Sequence, residues 1–172
     1  MPPQTKVDIR FPDYTPPVEL YIDRLVPVLE KHGMLPRTLL ASFDWRSIAG
    51  IKRKFPHARV AALMDETLVD AVETAWGSAD WLAVARAFAA DVVCPHHGSR
   101  NASGAYGGTV HQPDYVPFTT RAVVRRAHAL GLRVVPWTVD DESTIEKLIR
   151  YGSAANRNPP SSSLVCVELP SC

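Results

Sequence analysis

Hydrophobic residues along this chain recur at two spacings, one typical of strands and the other typical of helices. Apolar runs that are too short for helices predict five strands, at 6–11, 38–43, 59–64, 91–94 and 132–138. Apolar positions at helical spacing predict helices over 18–32, after Asp44, over 79–90, from Thr119 or Thr120 to Ala129, and over 142–152. This alternation predicts an α/β fold with a parallel sheet and right-handed crossovers.

The stretch 131–152 carries the clearest pattern. Its first half is a short Val-rich run, which predicts a buried strand. Its second half begins with Asp and Ser, which are good N-cap residues. Ser143 and Glu146 have the spacing of a capping box, and Gly152 lies where a C-cap glycine is expected. Trp137 comes near the C-terminal tip of the strand, the end at which chemistry gathers in barrel folds. Core packing is the alternative interpretation of this side chain.

Composition excludes several classes of protein. The 172 residues are 46% apolar, enough for one hydrophobic core, and the formal charge of +1 gives no field that would attract nucleic acid. The three cysteines show no CxxC spacing, so neither a zinc ribbon nor a disulfide framework is indicated. No signal peptide or run long enough to span a membrane is present, so the default expectation is a cytoplasmic protein.

Two motifs resemble those of the glycerophosphodiester phosphodiesterase family. Residues 126–141 are similar to its late barrel segment, in which an Ala-His-x-x-Gly-Leu helix end precedes a Val-x-x-Trp-Thr-Val-Asn/Asp strand. Upstream, Ser42-Phe43-Asp44 is similar to the Ser-Phe-Asp strand end of the same family. The two motifs occur in the order expected for that family.

The resemblance implies a TIM-type (β/α)8 barrel, and such a barrel needs about 250 residues. We therefore expect an incomplete barrel of about five parallel strands alternating with helices, corresponding to the middle and late barrel. This partial domain would span 1–152, followed by a Ser- and Pro-rich tail, 153–172, that is disordered or foreign to the fold. The open sheet edges of such a domain would favour self-association.

The resemblance also implies roles for individual residues. Asp8 and Arg10 align with a Glu-x-Lys pair of the family, so Asp8 would be a metal ligand and Arg10 would bind phosphate. An ion pair on an edge strand is the alternative for these two residues. Trp137 would line the substrate pocket, and Phe43 and Met64 would extend it as an apolar wall if they are not simply core residues.

The irregular stretch 95–117 is long enough to be functional or an insertion. It begins with His96 and His97 at the tip of a strand, where they could contact the phosphate or head group of a substrate. A polar loop pair is the alternative interpretation. The family's first-strand His-Arg-Gly segment does not occur in this sequence, so no catalytic residue is assigned.

By resemblance, the function is that of a phosphoric diester hydrolase in lipid metabolism. It would cleave a glycerophosphodiester to an alcohol and glycerol 3-phosphate with a divalent cation, Ca²⁺ or Mg²⁺. Because the acid–base histidines are missing, we expect little or no turnover. The alternatives are a non-catalytic remnant or interaction module of the same fold, and a different barrel chemistry that uses His96, His97 and His111. The expected partner is a small-molecule phosphodiester, with no nucleic acid.

Overall fold

The computed structural model describes the backbone of residues 4–5 and all of residues 17–99 and 110–153. Its elements, in chain order, are β1 (Gln4–Thr5), α1 (Val18–Lys31), β2 (Leu39–Ser42), α2 (Trp45–Lys54), β3 (Arg59–Met64), α3 (Val69–Trp76), α4 (Trp81–Ala87), β4 (Val92–Pro95), α5 (Arg121–Ala129), β5 (Arg133–Val134) and α6 (Glu142–Arg150). Parallel strands alternate with helices, which confirms the predicted α/β fold class.

Contacts divide the chain into two compact units. Among the described residues, the first comprises 4–5, 17–62 and 85–91, and the second comprises 63–84, 92–99 and 110–153. In the first unit β1 pairs with β2 and β2 with β3, both in parallel. In the second unit β4 pairs in parallel with β5, and the N–H of His96, the residue after β4, donates to the main-chain oxygen of Met64.

The first unit is built around the packing of α1 against α2. Ile22 and Val26 of α1 are buried, as the helical spacing predicts. A side chain on Gly50 would overlap Ile22, with its Cβ only 2.5 Å from the Cδ1 atom, so the glycine permits the close approach. Pro27 lies inside α1, which begins at Val18 and continues through it to Lys31.

Aspartate and threonine side chains begin the helices of the second unit. Asp65 accepts the main-chain N–H groups of Thr67 and Leu68, and Thr120 accepts that of Val123 at the start of α5. The helix α3 was not predicted, because the apolar pattern blurs after β3. Its single buried position, Val72, leaves little helical periodicity to detect, and Asp65 caps the helical turn that precedes α3 rather than α3 itself.

The last strand is shorter than predicted. Residues 132–138 were expected to form it, whereas β5 covers Arg133–Val134. Main-chain bonds nevertheless continue past its end, since Val135 donates to the Val93 oxygen and Trp137 donates to the Pro95 oxygen. Pro136 lies between these two donors, at a position whose nitrogen faces away from β4, so the missing N–H removes no bond to that strand.

The cap of α6 agrees with the prediction in part, because an aspartate and a serine were both expected as N-cap residues. Asp141, rather than Ser143, is the N-cap: its carboxylate accepts the Thr144 N–H at 2.9 Å and the Ser143 hydroxyl. The proposed capping box of Ser143 with Glu146 is therefore wrong, because Ser143 lies inside the helix. Gly152 does follow the helix with a φ of 89°, a left-handed conformation that favours glycine.

Some predictions lie outside the described residues. These are the first predicted strand, 6–11, and the tail beyond 153, so the division into 1–152 and 153–172 stays a prediction. Among the helices that the structure describes, none is both long and apolar enough to cross a membrane.

Candidate functional site

The carboxyl end of β4 holds the two histidines that the sequence analysis selected. The main-chain N–H of His96 donates to the Met64 oxygen at 2.8 Å, and that of His97 donates to the Trp137 oxygen at 2.9 Å. Their solvent-exposed fractions are only 3% and 4%. Both residues are therefore buried, and the main-chain bonds hold them at the end of the sheet.

Four aromatic rings form a continuous cluster at this point, which we call the ring stack: Trp137, His96, His97 and Tyr115. The imidazoles stack with centroids 4.8 Å apart, and the Trp137 ring meets His96 edge-on, also at 4.8 Å. On the other side, the Tyr115 ring stacks on His97 at 5.7 Å. The ammonium of Lys147 lies 5.2 Å from the centre of the Tyr115 ring. Such ring contacts stabilise a fixed arrangement of side chains.

Trp137 is anchored through its own polar atom. The indole Nε1 donates a hydrogen bond to the main-chain oxygen of Cys94 at 2.6 Å, and the side chain is half-buried. Because this bond engages the indole N–H, the ring offers its apolar faces and edges to other groups. The position therefore combines features of both interpretations, core packing and pocket lining.

Tyr115 was not selected from the sequence. Its hydroxyl lies 3.1 Å from the main-chain oxygen of His97 and 3.3 Å from the His97 Nδ1. A Cβ atom on Gly98 would lie 2.8 Å from the Tyr115 Cε2, so the glycine is what allows the ring to approach. The only sequence signal for this contact was the length of the 95–117 loop, which indicated function but no particular residue.

The residues just before α5 complete the support of the two histidines. Thr119 donates its hydroxyl to the main-chain oxygen of His96 at 2.7 Å. The main-chain oxygen of His97 accepts the N–H groups of Phe118 and Thr119, both at 3.1 Å. These bonds explain why Thr119, the alternative to Thr120 as the first residue of α5, is almost fully buried.

The surroundings of His97 favour its neutral form. Burial lowers the pKa of its imidazole and the neighbouring His96 lowers it further, while the carboxylates of Asp141 and Asp140 act in the opposite direction. Burial also raises the pKa of the Tyr115 hydroxyl to about 12. For Asp141, burial alone would raise the pKa, but hydrogen bonds from Ser143 and Thr144 outweigh it and the net shift is downward.

The structure describes only some of the other residues that were predicted to form the site. Asp8 and Arg10 lie outside the described residues. Met64 is fully buried, which supports its interpretation as a core residue, and Phe43 belongs to the first unit. Trp137, His96 and His97 do come together, as predicted, although their contact with a substrate stays a prediction.

The described residues do not fit a metal site. Within 17–99 and 110–153, no group of three His, Cys, Asp or Glu side chains could hold an ion. A metal chemistry built on His96, His97 and His111 therefore finds no support in this part of the chain. A divalent cation would need ligands from elsewhere, such as the predicted Asp8.

Comparison with known proteins connects the chain to one family. A sequence model of the glycerophosphoryl diester phosphodiesterase family matches residues 2–155. No curated protein matches the chain in sequence.

Solved structures of that family share the fold. An Oleispira antarctica phosphodiesterase, solved with the product sn-glycerol-3-phosphate, is 21% identical with a TM-score of 0.56 and covers 80% of this chain. A glycerophosphodiester phosphodiesterase from Parabacteroides distasonis is 19% identical with a TM-score of 0.51 and covers 81%. The chain spans less than half of either protein, 44% and 47%.

Proposed function

The chain belongs to the glycerophosphoryl diester phosphodiesterase family, and from this premise we propose that it binds glycerophosphodiesters at the ring stack. The activity in question is hydrolysis of the diester to an alcohol and glycerol 3-phosphate. The Oleispira antarctica phosphodiesterase with bound sn-glycerol-3-phosphate supports this choice of ligand. The single observation that carries the proposal is the burial of His96 and His97 against Trp137 at the carboxyl end of β4.

In this proposal the three side chains have different tasks. The imidazoles supply polar nitrogens that can hydrogen-bond to phosphate or hydroxyl oxygens. Trp137 supplies an apolar surface against which the glycerol carbons can pack, because its N–H is engaged by the Cys94 oxygen. The ring stack holds the imidazoles in fixed positions, so little side-chain entropy is lost when a ligand binds.

Asp8 and Arg10 complete the proposal from the sequence alone. Asp8 would contribute to a divalent cation and Arg10 would bind a phosphate oxygen, since the two positions align with the family's Glu-x-Lys pair. When bound, the cation would offset negative charge on the phosphoryl oxygens. The residues that the structure describes do not form the site of this cation.

Ligand binding tests the proposal directly. We expect sn-glycerol 3-phosphate to shift the His97 and Trp137 side-chain signals in NMR spectra of the 172-residue chain. His97→Ala should weaken binding about 10- to 150-fold, because a hydrogen bond to a charged group contributes about 1.5–3 kcal/mol. His57→Ala, at an exposed histidine paired with Glu30, is the matched control and should bind normally. Equal affinities of the two variants would refute this placement of the ligand.

A separate assay tests the expected lack of turnover. We expect the chain to release little or no glycerol 3-phosphate from a glycerophosphodiester, with or without Ca²⁺ or Mg²⁺, because the family's His-Arg-Gly segment does not occur in it. Substantial cation-dependent release would refute this expectation while leaving the binding proposal intact.

A further inference from the structure

Two hydrogen bonds join Tyr115 to His97, and the proposed function uses neither of them. The Tyr115 hydroxyl donates to the main-chain oxygen of His97 at 3.1 Å, and the same hydroxyl lies 3.3 Å from the His97 Nδ1. A phenol has one proton, which the bond to the main chain engages, so its oxygen accepts from Nδ1. The single proton of a neutral His97 therefore lies on Nδ1.

The second ring nitrogen of His97, Nε2, then carries no proton. It makes no hydrogen bond within the described part of the chain, so it is the nitrogen available to a ligand. An ionised phosphodiester has acceptor oxygens but no donor, and a bare Nε2 is also an acceptor. A neutral His97 in this tautomer therefore cannot form a hydrogen bond with the phosphate.

We propose that His97 takes up a proton on Nε2 when a phosphodiester binds, and that Tyr115 is the positioning residue that accepts the Nδ1–H of the resulting imidazolium. The proton comes from the solvent, and the ligand is left chemically unchanged. This rests on the proposed function, because the phosphate of the glycerophosphodiester is the anion that meets Nε2.

The hydrogen bonds around Tyr115 suit a positively charged His97. Both nitrogens of an imidazolium are donors, and the Tyr115 oxygen already accepts from Nδ1, so charging the ring loses no bond. The bond from Nδ1 becomes stronger, because its donor is now ionised. Burial raises the pKa of the Tyr115 hydroxyl to about 12, so the phenol keeps its own proton for the His97 main-chain oxygen.

Without a ligand, the neighbours of His97 leave its imidazole neutral. Burial lowers the pKa of His97, and the His96 imidazole, which stacks on one face, lowers it further. The carboxylates of Asp141 and Asp140, before α6, act in the opposite direction and do not outweigh burial. The two carboxylates nevertheless favour the charged form once another anion arrives.

The groups on the other face of His97 do not supply that anion. The Tyr115 ring covers this face, and the Lys147 ammonium of α6 lies 5.2 Å from the centre of the same ring, so its positive charge opposes protonation. A phosphate in contact with Nε2 would have the opposite effect. A charge of opposite sign within about 4–6 Å favours the ionised form by about 1–3 pKa units, which is enough to charge the ring near neutral pH.

Calorimetry tests the uptake with a ligand that does not itself titrate. The phosphate of sn-glycero-3-phosphoglycerol carries one negative charge at every pH near neutrality. Titration at about pH 7 in two buffers with different heats of ionisation gives the number of protons bound per ligand. We expect about 0.3 or more, and a Kd that rises with pH. Normal binding without uptake would overturn this inference and leave the proposed function intact, whereas absence of binding would refute the proposed function and the inference with it.

Histidine variants identify the group that takes up the proton. His97→Gln removes the titrating nitrogen and should reduce the uptake to near zero. His57→Gln, at the exposed histidine paired with Glu30, is the matched control and should keep it. Equal uptake in the two variants would place the proton elsewhere and overturn the assignment to His97.

Nitrogen-15 NMR of the histidine side chains tests the role of Tyr115. In the unaltered chain without ligand, we expect the proton of His97 on Nδ1, and a proton on Nε2 instead would overturn the positioning role. Tyr115→Phe keeps the ring but removes the acceptor, so the pKa of His97 should fall and the ligand should bind about three- to tenfold more weakly. The control is Tyr21→Phe, at a half-buried tyrosine of α1 in the first unit. Folded variants with the same His97 pKa would also refute the role of Tyr115.

Discussion

Substitution of Gly98 by alanine should displace the Tyr115 ring. The new Cβ would lie 2.8 Å from the Tyr115 Cε2 and 3.4 Å from both the Cδ2 of that ring and the main-chain oxygen of Val116. Carbon atoms in favourable contact are about 3.5–4.0 Å apart, so the overlap with Cε2 approaches 1 Å. The ring cannot simply rotate away, because its other contacts are the His97 imidazole and the Lys147 ammonium.

The free energy of unfolding should fall by about 2–4 kcal/mol. Overpacking of a filled site costs about 1–3 kcal/mol. Loss of the hydrogen bond between the Tyr115 hydroxyl and His97 adds about 0.5–1.5 kcal/mol. Urea denaturation followed by tryptophan fluorescence would measure the change.

A double-mutant cycle isolates the contact. In a Tyr115→Ala background the clash is gone, so Gly98→Ala should then cost less than about 1 kcal/mol. Gly77→Ala is the matched control. Its φ of 73° makes any side chain unfavourable, yet nothing lies within 4 Å of the added atom, so its cost should be the same in both backgrounds. An equal cost of Gly98→Ala with and without the Tyr115 ring would refute the reasoning.

Three further predictions concern neighbouring residues. Trp137→Phe should lower the free energy of unfolding by about 0.5–1.5 kcal/mol in urea denaturation, because the N–H bond to the Cys94 oxygen is lost while most of the ring remains. Asp141→Ala should lower the free energy of unfolding by about 0.5–2 kcal/mol, because the N-cap of α6 is lost. Circular dichroism should show a lower helical content in this variant. An unchanged free energy of unfolding would contradict the role of Asp141 as a cap. Folding lowers the pKa of His97, so the unfolded chain binds a proton at this residue more readily than the folded chain does. The contribution of His97 to the free energy of unfolding should therefore be fully present above about pH 6.5 and decline as the pH falls below it. Denaturation at a series of pH values should show this decline, and His97→Gln should flatten it.

Local patterns were sufficient to predict most of the fold. The strand 59–64 has the predicted bounds, and 38–43 contains β2, because each is a short apolar run followed by an aspartate that caps the next element. The predicted strand 132–138 is longer than β5, Arg133–Val134, although main-chain bonds to β4 continue as far as Trp137. The sequence alone does not show where regular pairing stops, because that depends on contacts with β4.

The candidate site shows where such reasoning ends. Trp137, His96 and His97 could be selected because they follow strand ends, where parallel sheets collect functional groups. Their burial could not be predicted, since it depends on contacts with residues distant in the chain. Tyr115 is 18 positions from His97, and neither spacing nor residue type links the two. Only the folded chain brings the hydroxyl to the imidazole.

Three aspartates that follow strands affect how the acidic residues of this chain can be tested as cation ligands. Asp44 after β2, Asp65 after β3 and Asp141 after β5 each accept an amide N–H of the helical turn or helix that follows. An ion that sought these oxygens would have to compete with the main chain for them. Alanine scanning of these three aspartates should therefore report on the melting of local segments, whereas loss of cation affinity should trace to acids elsewhere in the polypeptide.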